Sequence, residues 1–171
     1  MSCAICDGSE GEIIWSDNIL RVVLLDHLDY KAYCRVELIS HQKEMTDLDE
    51  ALQFNVMRCV FKVEAILRKI FNPDKINLAS LGNKTPHIHW HIIPRFKEDA
   101  HFPNSHWGEK VRQGLRQTLS AQEKKELITL LNQSLSSDTR NNFSMLNVAF
   151  DNFIDILFIY KVIPSSFWIN H

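Results

Sequence analysis

The 171-residue chain reads as a single α+β domain built on a mainly antiparallel sheet. Three observations lead there. Short segments rich in β-branched and aromatic residues are separated by turn-forming residues. One long apolar stripe runs at helical spacing between Leu48 and Ile70. A capping box, Ser120-x-x-Glu123, announces a second helix near the far end. Strands followed by segregated helices, without regular alternation, argue against a parallel α/β sheet.

In order, Glu12–Trp15 and Ile19–Leu25 are expected strands joined by the turn Ser16-Asp17-Asn18. Tyr33–Ser40 is a third. The long helix is expected to start from Thr46 as N-cap, with Asp47 and Asp49 at its positive end, and to stop at Asn72-Pro73. Phe54, Met57 and Phe61 form a second apolar stripe outside the main one. Ile76–Ser80 and His87–Ile93 follow as strands, with Pro94 expected to end the latter because proline cannot donate to a sheet ladder. The capped helix runs to about Leu135, with Leu127, Ile128, Leu130 and Leu131 on its apolar side. Residues 1–135 are therefore read as the domain and 136–171 as an atypical C-terminal extension. Ser136–Asn142 is linker-like, and Phe143–His171 is apolar and aromatic. That tail is open between packed structure, a dimer or membrane-surface contact, and disorder. Asp151, Asp155 and Lys161 keep it below the roughly 18 uncharged residues a membrane span needs.

Composition narrows the function. The chain is 45% hydrophobic and 23% charged with net charge −2. That balance disfavours a nucleic-acid polymer as partner but not a small phosphorylated ligand. Four cysteines with no secretory signal point to a reducing compartment, the cytoplasm by default. Cys34 and Cys59 read as small core residues, and His27, His101, His106 and His171 as surface residues.

The most informative stretch is His87-Ile88-His89-Trp90-His91-Ile92-Ile93-Pro94-Arg95. On a strand, alternation puts three imidazoles on one face and apolar side chains on the other. Same-face Cα atoms lie roughly 6.6 Å apart and the outer pair roughly 13 Å. Zinc–nitrogen bonds are only about 2.0–2.1 Å, so a straight strand does not bring all three onto one ion. Chemistry on part of the row is the sharper reading; three independent histidines facing water is the plainer one. A second constellation is Cys3-x-x-Cys6, which alone is half a zinc site or a redox pair outside a thioredoxin context.

His87 to Ile93 resembles the H-φ-H-φ-H-φ-φ signature of the histidine triad (HIT) family, φ being apolar. The likeness extends from about Cys3 to about Trp107. Leu81-Gly82-Asn83-Lys84-Thr85-Pro86-His87 with Pro94-Arg95-Phe96 looks like the bacterial diadenosine-tetraphosphate-hydrolase-like branch, as does Phe102–Trp107. The resemblance implies a HIT-like fold and a nucleotide hydrolase or transferase acting at an α-phosphate, on dinucleoside polyphosphates or nucleoside phosphoramidates. His89 is the implied nucleophile, His91 the implied support for the phosphoryl oxygens or leaving group, and His87 the residue that orients the row. Asp26 is implied to hold the ribose hydroxyls, with Asn83, Lys84 and Thr85 donating to phosphates. The loop departs from the commonest pattern: it is shortened, and Lys84 stands where a hydroxyl is usual. Some members hold a structural zinc at the positions of Cys3, Cys6, His41 and His87, a closed Cys2His2 set with no catalytic role. A homodimer through the long helix and a sheet edge is also implied. Rival readings are a nucleotidylyl transferase, against which Trp90 speaks where that branch has proline, and a non-catalytic nucleotide-binding or interaction protein.

Overall fold

The computed structural model describes residues 3–8, 10–114 and 118–136. Residues Met1–Ser134 form one compact unit. A short helical turn, α1 (Ala4–Asp7), precedes the strands β1 (Glu12–Ser16), β2 (Leu20–Leu24) and β3 (Cys34–Leu38). The long helix α2 (Glu50–Phe71) follows, then β4 (Lys75–Ala79) and β5 (His89–Arg95). A last helix, α3, covers 121–136. The sheet order is β1-β2-β3-β5-β4, every pair antiparallel. The predicted α+β class and mainly antiparallel sheet are as expected.

The β1–β2 turn forms because the Asp17 carboxylate accepts from the backbone N–H groups of Ile19 and Leu20 at 2.8 and 2.7 Å. α2 begins later than the sequence suggests. Met45–Asp47 is a 3-10 turn, and Asp49, not Thr46, is the N-cap, accepting from Leu52 N–H at 2.8 Å. At the other end Asn72 adopts the left-handed conformation, φ 44°, and its N–H closes on Arg68 O before Pro73. α2 packs across β3 and β5. It buries Val56, Cys59, Val60, Val63, Ile66 and Leu67 against Val22, Cys34, Val36 and Ile92 of the sheet's core face. At about 1.5–3 kcal/mol per large apolar side chain, this burial outweighs propensity in holding the helix. Phe54 and Phe61 remain outside, 68% and 54% exposed. The α3 capping box forms as expected, Glu123 N–H to Ser120 Oγ and Ser120 N–H back to Glu123. Leu127 and Leu131 are the residues of its apolar side that become fully buried.

β5 differs from expectation at both ends. His87 precedes the strand, and the strand continues through Pro94 to Arg95. β3 pairs only with His89–Ile92, so Pro94 sits where β5 has one neighbour left, opposite Ile76 of β4. A proline is tolerated there because only one side of the ladder is in use.

Beyond β5 a buried ion pair fixes the loop. Arg95 donates from Nε and Nη2 to both carboxylate oxygens of Asp99, at 2.7 and 2.9 Å. Asp99 in turn accepts from the N–H groups of His101 and Phe102. Burial alone raises the Asp99 carboxyl, but Arg95 and these amides hold it below the usual range. Asp99→Ala should therefore destabilise the protein by about 3–5 kcal/mol, because it strands Arg95 in the interior; equilibrium urea unfolding measures it. The folded pKa is depressed, so Asp99's pH-linked contribution is present above the unfolded carboxylate value and lost as pH falls through the folded one.

Candidate functional site

The face of the sheet opposite α2 carries the polar groups. Register places Arg21 beside Glu37, Glu37 beside His89, and Arg35 beside His91. Glu37 is fully buried and accepts from Arg21 Nε at 2.6 Å and Arg35 Nε at 2.5 Å. Two guanidiniums thus flank one carboxylate next to the histidine row. None of the three carried a pattern of its own in the sequence; strand register alone assembles them.

Each histidine of the row is held by a different partner, and the partners determine which nitrogen bears the proton. His87 Nε2 lies 2.6 Å from Leu38 O. A carbonyl only accepts, so this nitrogen carries the hydrogen and Nδ1 presents its lone pair. His89 is reversed: Nδ1 lies 2.6 Å from His87 O. His89 is therefore protonated at Nδ1 and has its lone pair at Nε2. Burial pushes the His89 pKa down, the Arg35 charge adds to this, and the bond to His87 O partly opposes it. Burial thus favours the neutral ring. His91 Nδ1 lies 2.7 Å from the Tyr33 hydroxyl. Burial, with His89 and Arg35 adding to it, pushes His91 down to about 3. The His89 and His91 rings are 4.9 Å apart. Among the described residues neither Nε2 has a hydrogen-bond partner.

His87 faces a different group. Its Nδ1 lone pair is 3.4 Å from the Sγ atoms of Cys3 and Cys6 and 3.3 Å from His41 Nδ1. The four ligand atoms lie within 4.8 Å of one another. Bond lengths of about 2.3 Å for Zn–S and 2.0–2.1 Å for Zn–N separate neighbouring ligands of a tetrahedron by about 3.3–3.8 Å. The donor set and spacing fit zinc. α1 brings Cys3 and Cys6 together, and Arg21 pins it by donating to Ile5 O at 2.7 Å.

The predicted nucleotide contacts are dispersed. Asp26 is exposed at the end of β2 and lines a cavity of about 510 Å³ with His27, Tyr30 and Lys31. Tyr30 and Tyr33 connect that cavity to the row, with ring centroids 6.4 Å apart and Tyr33 5.7 Å from His91. Asn83 and Lys84 are exposed and Thr85 is half-buried, in the loop before His87. Among the described residues no hydrogen bond or ion pair joins their side chains to the row.

Of the histidines expected at the surface, His101 is buried and His27 and His106 are half-buried. His101 is buried against Tyr30, to which it is hydrogen-bonded. His106 packs edge-on to Tyr30 and Tyr33, and His27 lies 5.0 Å from Tyr30. Trp107 meets His91 edge-on at 5.2 Å. His171 lies outside the described residues. Cys34 and Cys59 are core residues, as expected.

The HIT domain profile matches residues 9–98. No curated protein sequence matches the chain. Among solved structures, a histidine triad protein from Bradyrhizobium japonicum is 30% identical, covering 72% of this chain and 90% of that one, with a TM-score of 0.59. A histidine triad protein from Marinobacter aquaeolei (23%, 72% and 90%, TM-score 0.61) shares the fold. So does a zinc-bound histidine triad family protein from Mycobacterium smegmatis (19%, 80% and 98%, TM-score 0.55). A profile covering more than half the chain, together with a relative at 30% identity, establishes that this protein belongs to the HIT-domain family.

Proposed function

We propose that the chain is a nucleotide hydrolase or transferase that attacks an α-phosphate through a covalent nucleotidyl-histidine at His89. Its substrate class is dinucleoside polyphosphates or nucleoside phosphoramidates, as in the diadenosine-tetraphosphate-hydrolase-like branch. The observation that carries this reading is the 2.6 Å contact between His89 Nδ1 and His87 O. A carbonyl only accepts, so the proton belongs on Nδ1 and the lone pair on Nε2, which has no hydrogen-bond partner among the described residues. That lone pair forms the N–P bond as the bond from phosphorus to the leaving group breaks. The leaving group takes the electron pair, as a phosphate oxyanion from a dinucleoside polyphosphate or, after its nitrogen takes a proton from solvent, as a neutral amine from a phosphoramidate. Water then adds to phosphorus, its proton passes to solvent, and the P–N electrons return to Nε2. The half-buried Arg35, opposite His91 on β3, would add positive potential where phosphoryl charge develops. Asp26, which lines the cavity, would hold ribose hydroxyls, and Asn83, Lys84 and Thr85 would be the loop donors for the remaining phosphates. The test is incubation with diadenosine tetraphosphate and with a nucleoside phosphoramidate, with products separated by chromatography. Release of nucleoside monophosphate from either supports the reading, and release from neither contradicts it.

Cys3, Cys6, His41 and His87 would hold a structural zinc, whose role is to cross-link α1, the β3 end and the approach to β5. Residues 1–135 would be the catalytic domain, 136–171 an extension, and the cytoplasm its location. No helix among the described residues is long and apolar enough to cross a membrane.

The homodimer belongs to the same proposal. Phe54 and Phe61 lie about two turns apart on α2, and with Met57 they border an apolar groove. A two-fold contact would bury this patch against itself. Light scattering on the full chain should report a dimer, and the double variant Phe54→Glu, Phe61→Glu a monomer. A monomeric parent chain would overturn the assignment.

A further inference from the structure

We propose that Tyr33 is a positioning residue whose hydroxyl donates to Nδ1 of His91 and fixes that ring as the tautomer protonated at Nε2. His89 would then present a lone pair and His91, beside it, a hydrogen-bond donor. The inference rests on the reaction proposed above for its consequence, but not for its geometry.

The direction of the Tyr33–His91 bond follows from accounting for every polar hydrogen. Both groups are buried and 2.7 Å apart. Among the described residues His91 is the one hydrogen-bond partner of the Tyr33 hydroxyl. Were His91 the donor, the phenolic O–H would be left in the interior without an acceptor, which is costly. With Tyr33 as donor, the hydroxyl is satisfied and the imidazole proton moves to Nε2. The contrast along the row supports this. His87 and His89 are held by carbonyls, which can only accept, whereas His91 is held by a group that can donate.

The surroundings favour a neutral ring over an imidazolium. Arg35 stands directly across on β3, His89 lies beside it, and Trp107 covers an edge. The carboxylate on this face, Glu37, already accepts from two guanidiniums. Burial pushes the Tyr33 phenol up, so it keeps its proton. His91 therefore supplies a hydrogen bond to the phosphoryl oxygen or the leaving atom rather than a proton.

The packing explains why tyrosine reaches this position. Ala32, immediately before it, is in the left-handed region at φ 54°. Tyr33 is then wedged between Tyr30, His27 and His106. Tyr33→Phe keeps that packing and removes only the donor.

The experiment is a long-range 1H–15N correlation spectrum of the full-length protein at neutral pH, assigned with a His91→Gln variant. The parent should show His91 protonated at Nε2 and His89 protonated at Nδ1. In Tyr33→Phe, His91 should shift toward the other tautomer while His89 stays as it was. Turnover of that variant should fall about 10–100-fold in kcat with KM little changed, since a donor is lost from the transition state and not from ground-state binding. A parent His91 protonated at Nδ1 or on both nitrogens would overturn the proposal, as would an unchanged tautomer in Tyr33→Phe. The spectra need no substrate, so they decide the proposal even if the reaction proposed above is absent.

Discussion

His89→Ala should abolish turnover, by about 10⁴-fold or more, while binding of a nucleoside monophosphate stays close to that of the parent. The asymmetry is the point of the prediction. The variant removes the atom that forms the bond to phosphorus, but leaves the groups proposed to hold the nucleotide: Asp26 beside the cavity, Arg35 on the neighbouring strand and the loop before His87. His89 contributes one ring to the face and one hydrogen bond to His87 O, so its loss deletes chemistry without dismantling a network. Kinetics with a saturating dinucleoside polyphosphate and calorimetry with AMP measure the two halves separately. Turnover within tenfold of the parent would remove His89 from the role.

The second large effect concerns metal. Protein purified without added metal should contain about one zinc per chain, and a strong chelator should lower its melting temperature by about 10 °C or more. A structural zinc site contributes several kcal/mol of folding free energy, and each shifts a chain of this size by about 2–4 °C. Acid should act in the same direction, because the thiolates of Cys3 and Cys6 must stay deprotonated to bind. Chelation should also depress kcat. His87 is at once a proposed ligand through Nδ1 and the residue whose carbonyl orients His89, so loosening one loosens the other. Elemental analysis and differential scanning calorimetry check both claims. Metal-free protein with unchanged melting in chelator would leave Cys3 and Cys6 as ordinary thiols.

What could be read from the sequence was what local pattern controls. The alternation of His89 and His91 with Trp90 and Ile92 specifies a two-faced strand, although His87 lies before it, and Ser120 with Glu123 specifies a helix start, because the groups involved are near neighbours. Local pattern misleads where two local solutions compete. Thr46 and Asp49 are both good N-caps three residues apart, and the 3-10 turn at Met45–Asp47 is what gives the position to Asp49. Pro94 reads as a strand end, but its cost depends on whether a neighbour needs its missing N–H, and β3 pairs with β5 only as far as Ile92. The candidate site follows the same division. Cys3 and Cys6 are visible as a pair, whereas His41 joins them only through the fold, and only the family resemblance brought it forward. His27, His101 and His106 have no sequence pattern. Tyr30 and Tyr33 meet His101 and His106 through contacts about 70 residues apart in sequence, whereas His27 packs on Tyr30 three residues away and Asp99 holds the backbone at His101. Tyr33 itself would read simply as a strand residue; its importance lies in meeting His91, 58 residues away.

The most direct measurement of the central claim is intact-mass spectrometry of the parent protein quenched in alkali, where a phosphohistidine bond survives, during turnover of a dinucleoside polyphosphate. The account predicts a species heavier by one nucleoside monophosphoryl group, located on His89 by peptide mapping and absent from His89→Ala. Turnover without any such adduct, or an adduct carried on a different residue, would contradict it.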